Sequence, residues 1–456
     1  MTRLLRHTLL SVRDLLVTAG PVIALALGLL VLAYWLLDPM PPRRVVLATG
    51  PEQSAYAAWG ERYAAELRRR GFEVVLRATA GSVDNLALLE RDDAGVDFAF
   101  VRNGAGAASA ANGSLLSLGA LFQEPVWVFY RSGASTSASP APTPRKAGAP
   151  ALPALHRLGE LAGKRLNVGE PGSGVPQLMQ QLLRLNGLDE HGVTLSNTPD
   201  NLAIAKMLTG QLDAVAMVSA PESPLVQMLL VTPGISLLDL DQADAYAKRL
   251  PQVQSVSLPR GIVDLALDLP PQSVDLVAAT TMLVARERTH PALRQLFVQA
   301  ADKLHRAPGW FQSQGQFPTR RDSELPIDPE ANRFFESGAP LLQRYLPFGL
   351  ANLVDRMWVV LVSLIAVLLP LTRVVPPLYV FRIRSRIFRW YAQLRDIEDR
   401  LARGDADRDE VVQALDHLDE RLGKLNVPLS YADELYDLRS HIMMVRRRAT
   451  ASAQAA

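Results

Sequence analysis

Two long runs without a charged residue constrain this chain more than any other feature. Residues 15–37, "LLVTAGPVIALALGLLVLAYWLL", would rise about 35 Å as a helix, enough to cross a hydrocarbon core of about 30 Å. Arg3, Arg6 and Arg13 precede the run, and Tyr34 and Trp35 would lie at its far interface. A cleavable signal peptide is the rival reading. The apolar stretch exceeds what such peptides carry, and "DPMPPRR" offers no small-residue cleavage site. The second run, residues 357–372, lies between Arg356 and Arg373 and is short for a span. The uncharged "VVPPLYVF" beyond Arg373 extends it, giving an expected span over 355–381. Its rival is a buried or interfacial helix. Pro370, Pro376 and Pro377 predict a kinked or broken inner end. Arg382, Arg384, Arg386 and Arg389 follow without an acid. Positive residues thus flank both runs on their outer sides. That places residues 1–14 and the tail 382–456 in the cytoplasm and residues 43–345 across the membrane. In a bacterium this is a two-pass inner-membrane protein whose main domain is periplasmic.

The chain has 456 residues and a net charge of +2, so bulk charge gives no case for a nucleic-acid partner. It has no cysteine, which excludes disulfides, thiolate metal sites and cysteine nucleophiles. No cofactor motif stands out.

Between the two runs, short apolar strands alternate with amphipathic helices. "RVVLATG", "FEVVLRATA" and "VDFAFV" read as strands. "AYAAWGERYAAELRRRG" reads as a helix with Trp59, Tyr63 and Leu67 on one face and Gly71 as its stop. Ser82 is placed to cap the helix "VDNLALLERDDAG". This order argues for a mainly parallel sheet with helices on its faces. A second unit of the same kind follows: strands at "PVWVFYR", "KRLNVG" and "LDAVAMV", helices at "GVPQLMQQLLRLNG" and "PDNLAIAKMLTG", then the strand "VDLVAATTMLVAR" and the helix "PALRQLFVQAADKL". Two such units imply two lobes and a cleft. Residues 132–154 are Ala, Pro, Ser, Thr or Gly except for Arg145, Lys146 and Leu152, a composition expected of a disordered surface insertion.

"VGEPGSGVPQ" puts a glycine turn where a strand gives way to a helix. Backbone N–H groups lack partners at a helix start and the dipole end is positive, so anions bind there readily. Gly172 and Gly174 let a ligand approach the backbone, and Ser173 adds a hydroxyl. The plain alternative is a tight turn with a serine cap. A phosphate loop is excluded because no Gly-Lys-Ser/Thr follows, and Ser173 lacks the Gly-x-Ser-x-Gly of a nucleophile elbow. The seven histidines form no close ligand pair. Other candidates lie at strand ends: Thr49, Gly50, Ser54 and Tyr56 in "ATGPEQSAY", Ser82 and Asn85 in "TAGSVDNL", and Arg102 and Asn103 in "VRNG". In open α/β sheets, ligands favour the crevice beyond the strands' carboxyl ends. Each residue also has a plain reading as turn chemistry, capping or ion pairing.

The pieces "VVLATG…YAAWGERYAAEL", "VVLRATAGSVDNLALLERDDAGVDFAFV", "LAGKRLNVGEPGSGVPQLMQQLLRLNGL" and "LTGQLDAVAMV" resemble the TAXI family of solute-binding proteins of tripartite (TRAP) transport. The likeness runs over residues 44–306. It implies an α/β, two-lobed type II periplasmic-binding-protein-like fold closing on a small solute, typically a carboxylate. Three departures stand out. The family's first loop is glycine-rich, whereas here Pro51, Glu52 and Gln53 fill it, so Glu52 would either repel a carboxylate or recognise an amine. The turn after the third strand is "VRNG" where the family often has Gln or Asp. Family receptors are released or tethered at one end, whereas this chain has two expected anchors.

In the tail, Val412, Leu415, Leu418, Leu422 and Leu425 form one apolar stripe, and Leu435, Leu438, Ile442 and Val445 another. They serve either a helical hairpin packed on itself or contact with a second copy or a cytoplasmic partner. The closing "RRRATASAQAA" is expected to be disordered near solvent or anionic lipid. The expected function is a membrane-anchored, non-enzymatic solute-binding protein that captures an anionic metabolite for TRAP membrane subunits or for sensing. The alternative is a degenerate receptor acting as sensor or scaffold through its tail.

Overall fold

The computed structural model describes residues 20–21, 23–37, 40–106, 113–132, 155–188, 192–403, 407–423 and 432–451. Apart from Ser132, the insertion expected at 132–154 lies outside the described residues, as do Leu425, residues 15–19 and 22 of the first apolar run and residues 452–456; the closing segment expected to be disordered is helical as far as Ala451. Two compact units divide the chain: residues 40–352, and residues 1–39 with 353–456.

The first unit begins as its sequence pattern dictates. Strand β1 (Arg44–Ala48) buries Val45 and Leu47. Helix α2 (Ala55–Arg68) starts where the Ser54 hydroxyl accepts the Ala57 N–H at 3.2 Å, and it buries Trp59, Tyr63 and Leu67 along one face. Strand β2 (Glu73–Arg77), helix α3 (Ser82–Glu90) and strand β3 (Phe98–Arg102) follow, with β1 parallel to both β2 and β3. Then the parallel winding stops. Strand β4 (Leu115–Arg131) runs for 17 residues, nearly all buried.

A second α/β layer is built from β5 (Arg165–Asn167), α4 (Val175–Leu185), β6 (Thr194–Ser196), α5 (Asp200–Leu208) and β7 (Ala214–Val218). Smaller elements complete it: α6 (Pro224–Leu230), β8 (Ile235–Leu237), α7 (Ala243–Arg249) and β9 (Val253–Leu258). Strand β10 (Val274–Arg286) runs antiparallel to β4 from Ala278 opposite Pro125 to Arg286 opposite Leu115. The strand order is β2-β1-β3-β10-β4-β7-β5-β6. One half of β4 pairs β10 beside β3, and its other half, Val126 to Tyr130, pairs β7. Two long strands are therefore shared by two lobes. The sheet is mixed rather than mainly parallel, because β4 and β10 are both antiparallel to their neighbours. The strand expected at "PVWVFYR" is the last part of β4, which begins ten residues earlier at Leu115.

Each lobe has its own core. Helix α8 (Pro291–His305) lays Leu293, Leu296, Phe297 and Ala300 on the first lobe, where Phe297 stacks on Phe98 with ring centroids 3.8 Å apart. Helix α9 (Pro329–Ser337) adds Ala331 to the same core. In the second lobe, Leu178, Met179, Leu182 and Leu183 of α4 pack on one side of the sheet, and Ile204 and Met207 of α5 with Trp127 and Phe129 on the other.

In the other unit, the first apolar run contributes helix α1, described over Ile23–Leu37 and shorter than the about 20 residues a membrane helix needs. Helix α10 (Phe348–Arg403) contains the segment Phe348–Leu371, the one helix among the described residues long and apolar enough to cross a membrane. Two spans were expected, and among the described residues one such helix is present. Its apolar segment runs from Phe348 to Leu371, starting and ending earlier than the expected 355–381. Of the kinked or broken inner end expected at Pro370, Pro376 and Pro377, the break does not occur, since α10 continues through all three to Arg403. Each proline removes one backbone donor and crowds the preceding turn, which a long helix absorbs without ending. The last turns of α10 pack with α11 (Arg408–Gly423) and α12 (Ala432–Ala451) through Ile387, Leu394, Leu415, Leu418, Leu438 and Ile442. The tail's apolar stripes meet each other there.

Candidate functional site

A cavity of about 330 Å³ lies between the two lobes. Its walls come from the residues that follow the carboxyl ends of six strands. From the first lobe these are 50–56 after β1, 80–82 after β2 and Arg102 at the end of β3. From the second they are Glu170 and Ser173 after β5, Pro199, Asp200 and Asn201 after β6, and Ser219 and Ser223 after β7. Parallel strands with right-handed helical returns place these turns on one edge of each sheet, so the facing edges make the crevice. Val175, Met217, Val218 and Leu225 give it apolar patches.

On the floor, Glu124 of the shared strand β4 is 3% exposed, and its Oε2 accepts from Tyr56 Oη at 2.9 Å and Thr281 Oγ1 at 2.6 Å. The Ser82 hydroxyl lies 3.0 Å from Tyr56 Oη and accepts the Arg102 backbone N–H at 3.0 Å. Since the Tyr56 proton goes to Glu124, Ser82 donates to the Tyr56 oxygen. One chain of hydrogen bonds thus ties α2, α3, β3, β4 and β10 together. Burial pushes the Glu124 carboxyl up, with nearby Arg102 opposing it, and burial likewise pushes the Tyr56 phenol up.

Arg102 is 3% exposed and lines the cavity, yet among the described residues its guanidinium has no hydrogen-bond or ion-pair partner. A buried, unpartnered cation costs several kcal/mol unless something completes its surroundings. Across the cleft, Asp200 opens helix α5 and lines the opposite wall with Glu170. Burial, with the Glu170 charge adding to it, pushes the Asp200 carboxyl up to about 6. Among the described residues, neither carboxylate has a hydrogen-bond partner for its side chain.

The sequence candidates divide. Gly50, Ser54, Tyr56, Ser82, Arg102 and Ser173 line the cavity. Thr49 and Asn85 lie behind it. Asn85 Nδ2 donates to the carbonyls of Thr49 and Phe100, both at 2.8 Å, bracing β1 against β3. Asn103 faces away and donates to the Asp322 carbonyl at 2.6 Å. Ser82 does not cap α3, because Gly81 holds that position and the hydroxyl is used in the floor network. At the glycine turn, Ser173 donates to the Glu170 carbonyl at 2.6 Å and accepts the Val175 N–H at 3.2 Å. Pro176 supplies no N–H and the Ser173 hydroxyl takes that of Val175, while Gly174 holds the N-cap position of α4 with no side-chain cap.

The glycines there serve the meeting of the lobes. A Cβ on Gly172 would stand 2.6 Å from the Asp84 Cγ of α3, and one on Gly174, at φ +78°, would stand 2.9 Å from Arg102 Nη2. Gly81 similarly approaches Ser173, where a Cβ would lie 2.9 Å from the Ser173 Cα. Turn 171–174 of one lobe is seated on residues 81–84 of the other.

Glu124, Glu170, Asp200, Asn201, Ser219 and Ser223 were not among the sequence candidates. A lone acid inside the apolar run "GALFQEPVWVFY" was a usable signal for Glu124, as was an acid opening a helix after a strand for Asp200.

Residues 153–337, less than half of the chain, match the NMT1-like family. No curated protein matches the sequence. Similar solved structures include the alkanesulfonate-binding protein SsuA from Xanthomonas axonopodis pv. citri bound to MOPS, 18% identical over 58% of this chain and 74% of that one, with a TM-score of 0.35. Others are the CcmR regulatory domain of Synechocystis PCC6803 in complex with 2-PG (13%, 58% and 98%, TM-score 0.37) and the amino acid ABC transporter substrate-binding protein AbpA of Streptococcus pneumoniae bound to L-arginine (15%, 57% and 89%, TM-score 0.34). At these scores the structural likenesses carry no argument of their own.

Proposed function

We propose that this protein is a membrane-anchored solute-binding protein that closes its two lobes on a small metabolite bearing an anionic group, a carboxylate by preference. The observation that carries this reading is Arg102, a buried guanidinium without a protein partner on the wall of an interlobe cavity. The N-terminus of α3, at Gly81 and Ser82, opens on the same cavity and adds a positive dipole end. An anion there would complete both. The match to the NMT1-like family supports the same class of protein.

The location in this reading is the bacterial inner membrane, with the lobes in the periplasm, the tail in the cytoplasm and two membrane passes. The bound solute is delivered to TRAP-type membrane subunits, as the resemblance to TAXI receptors implies. A second reading, signalling through the tail, is favoured by the uninterrupted helix from Phe348 to Arg403, which joins the receptor's last residues to the helical tail.

The test is calorimetric titration of the full-length protein in detergent with a panel of small carboxylates and sulfonates. At least one should bind. Arg102→Gln should weaken that ligand by about 10² or more while the melting temperature stays at or above the wild-type value, because a charge-assisted contact to an anion is removed and a buried charge relieved. Undiminished binding by Arg102→Gln would refute the reading.

A further inference from the structure

The charges around the cavity do not suit a purely anionic solute. Against the single Arg102 stand the carboxylates of Glu52, Glu124, Glu170 and Asp200. Glu124 is accounted for by its two hydroxyl donors on the floor. Glu170 and Asp200 are not. They share the second lobe's wall, where the Glu170 charge adds to the burial that raises the cost of ionising Asp200. Arg102, nine-tenths buried, unpartnered and open to the same cavity, lies farther than ion-pair distance from both. Glu52 lies in the exposed loop after β1, so Arg102 on the first lobe's wall and the acidic pair on the second face one cavity without neutralising each other.

We propose that Glu170 and Asp200 form an ammonium subsite, so that the solute is an amino-carboxylate or amino-sulfonate whose anionic end meets Arg102 and whose cationic end meets this acidic pair. This rests on the reading of Arg102 as the anion anchor and narrows it. A zwitterion bridging the lobes satisfies both walls at once, and it can do so only when the lobes are together. Ligand charge thereby favours the closed form over the open one. A dicarboxylate of similar size would set its second charge against Glu170 and Asp200 and be rejected. A free metal cation held by the acidic pair is the competing occupant, and it would not need Arg102.

The experiment compares matched probes on the full-length protein in detergent at pH 7.5: L-alanine with propionate, L-glutamate with glutarate, 4-aminobutyrate with butyrate, and taurine with ethanesulfonate. Calcium and magnesium chloride are run alone. The inference expects the tightest-binding probe to carry an ammonium group and its deaminated partner to bind at least tenfold more weakly. In Asp200→Asn that preference should shrink at least tenfold, while the melting temperature of the free protein rises because an ill-solvated charge is gone. The raised melting temperature shows that the variant is folded. Deaminated probes binding as tightly as their partners, or a preference unchanged in Asp200→Asn, would overturn the ammonium subsite and leave the anion reading standing. Saturable binding of calcium or magnesium alone that Asp200→Asn abolishes would also overturn it. Binding by no probe of either series would overturn both.

Discussion

His305 shows how a single side chain can set a pH response without touching the candidate site. It is 1% exposed, neither ring nitrogen has a hydrogen-bond partner, and it stacks on Trp59 with centroids 4.1 Å apart. Burial, with the Arg62 charge adding to it, holds its imidazole down to about 3. The folded state therefore keeps it neutral, whereas the unfolded chain protonates it near its ordinary value of about 6.5. Below that pH the unfolded state binds one more proton than the folded state, so stability falls as pH falls toward 3. His305→Leu should flatten the stability profile between about pH 5.5 and 4 by about 1.4 kcal/mol per pH unit, read from urea unfolding at several pH values. An unchanged slope would show that the imidazole is solvated. Asp200 has the opposite sign, because its raised carboxyl favours the folded state as pH falls through about 6. The two residues partly offset each other in the wild type.

At the scale of elements, the turn between β5 and α4 acts as a seat for the opposite lobe. Gly172→Ala brings a Cβ to 2.6 Å from the Asp84 Cγ, a clash that exists only while the lobes are together. The substitution should leave the melting temperature of the free protein within about 2 °C and weaken the solute identified by titration about tenfold, equivalent to about 1.4 kcal/mol against closure. Small-angle scattering of the ligand-loaded variant should show a larger radius of gyration than wild type. Equal affinity would mean that α3 shifts to accommodate the methyl group. The strands β1 to β3 and helices α2 and α3 were legible because their burial follows simple periods of two and 3.6 residues. Most of β4 was not. It is buried on both faces, so "LLSLGALFQE" has no alternation and contains Gly119, at φ +117°.

At the scale of the whole molecule, the absence of cysteine makes topology directly testable. Gln211→Cys, exposed in the loop before β7, should react with a membrane-impermeant maleimide once the outer membrane is opened. Asp437→Cys, exposed on α12, should react only after the inner membrane is lysed. The reverse pattern would place the lobes in the cytoplasm and end the receptor reading. By itself, the sequence determined the two-lobed α/β alternation, the apolar segments at its borders and the strand-end turns, because each depends on neighbours within a few residues. It also placed Arg102 and Ser82 among the candidates. Only the tertiary structure decided which turns share a cavity, that Asn85, the Asn103 amide nitrogen and Ser173 hydrogen-bond within the protein, and that Glu170 and Asp200 face Arg102 across it. Those facts depend on how β4 and β10 join the lobes, and pairings between strands more than a hundred residues apart leave no periodic mark on the chain.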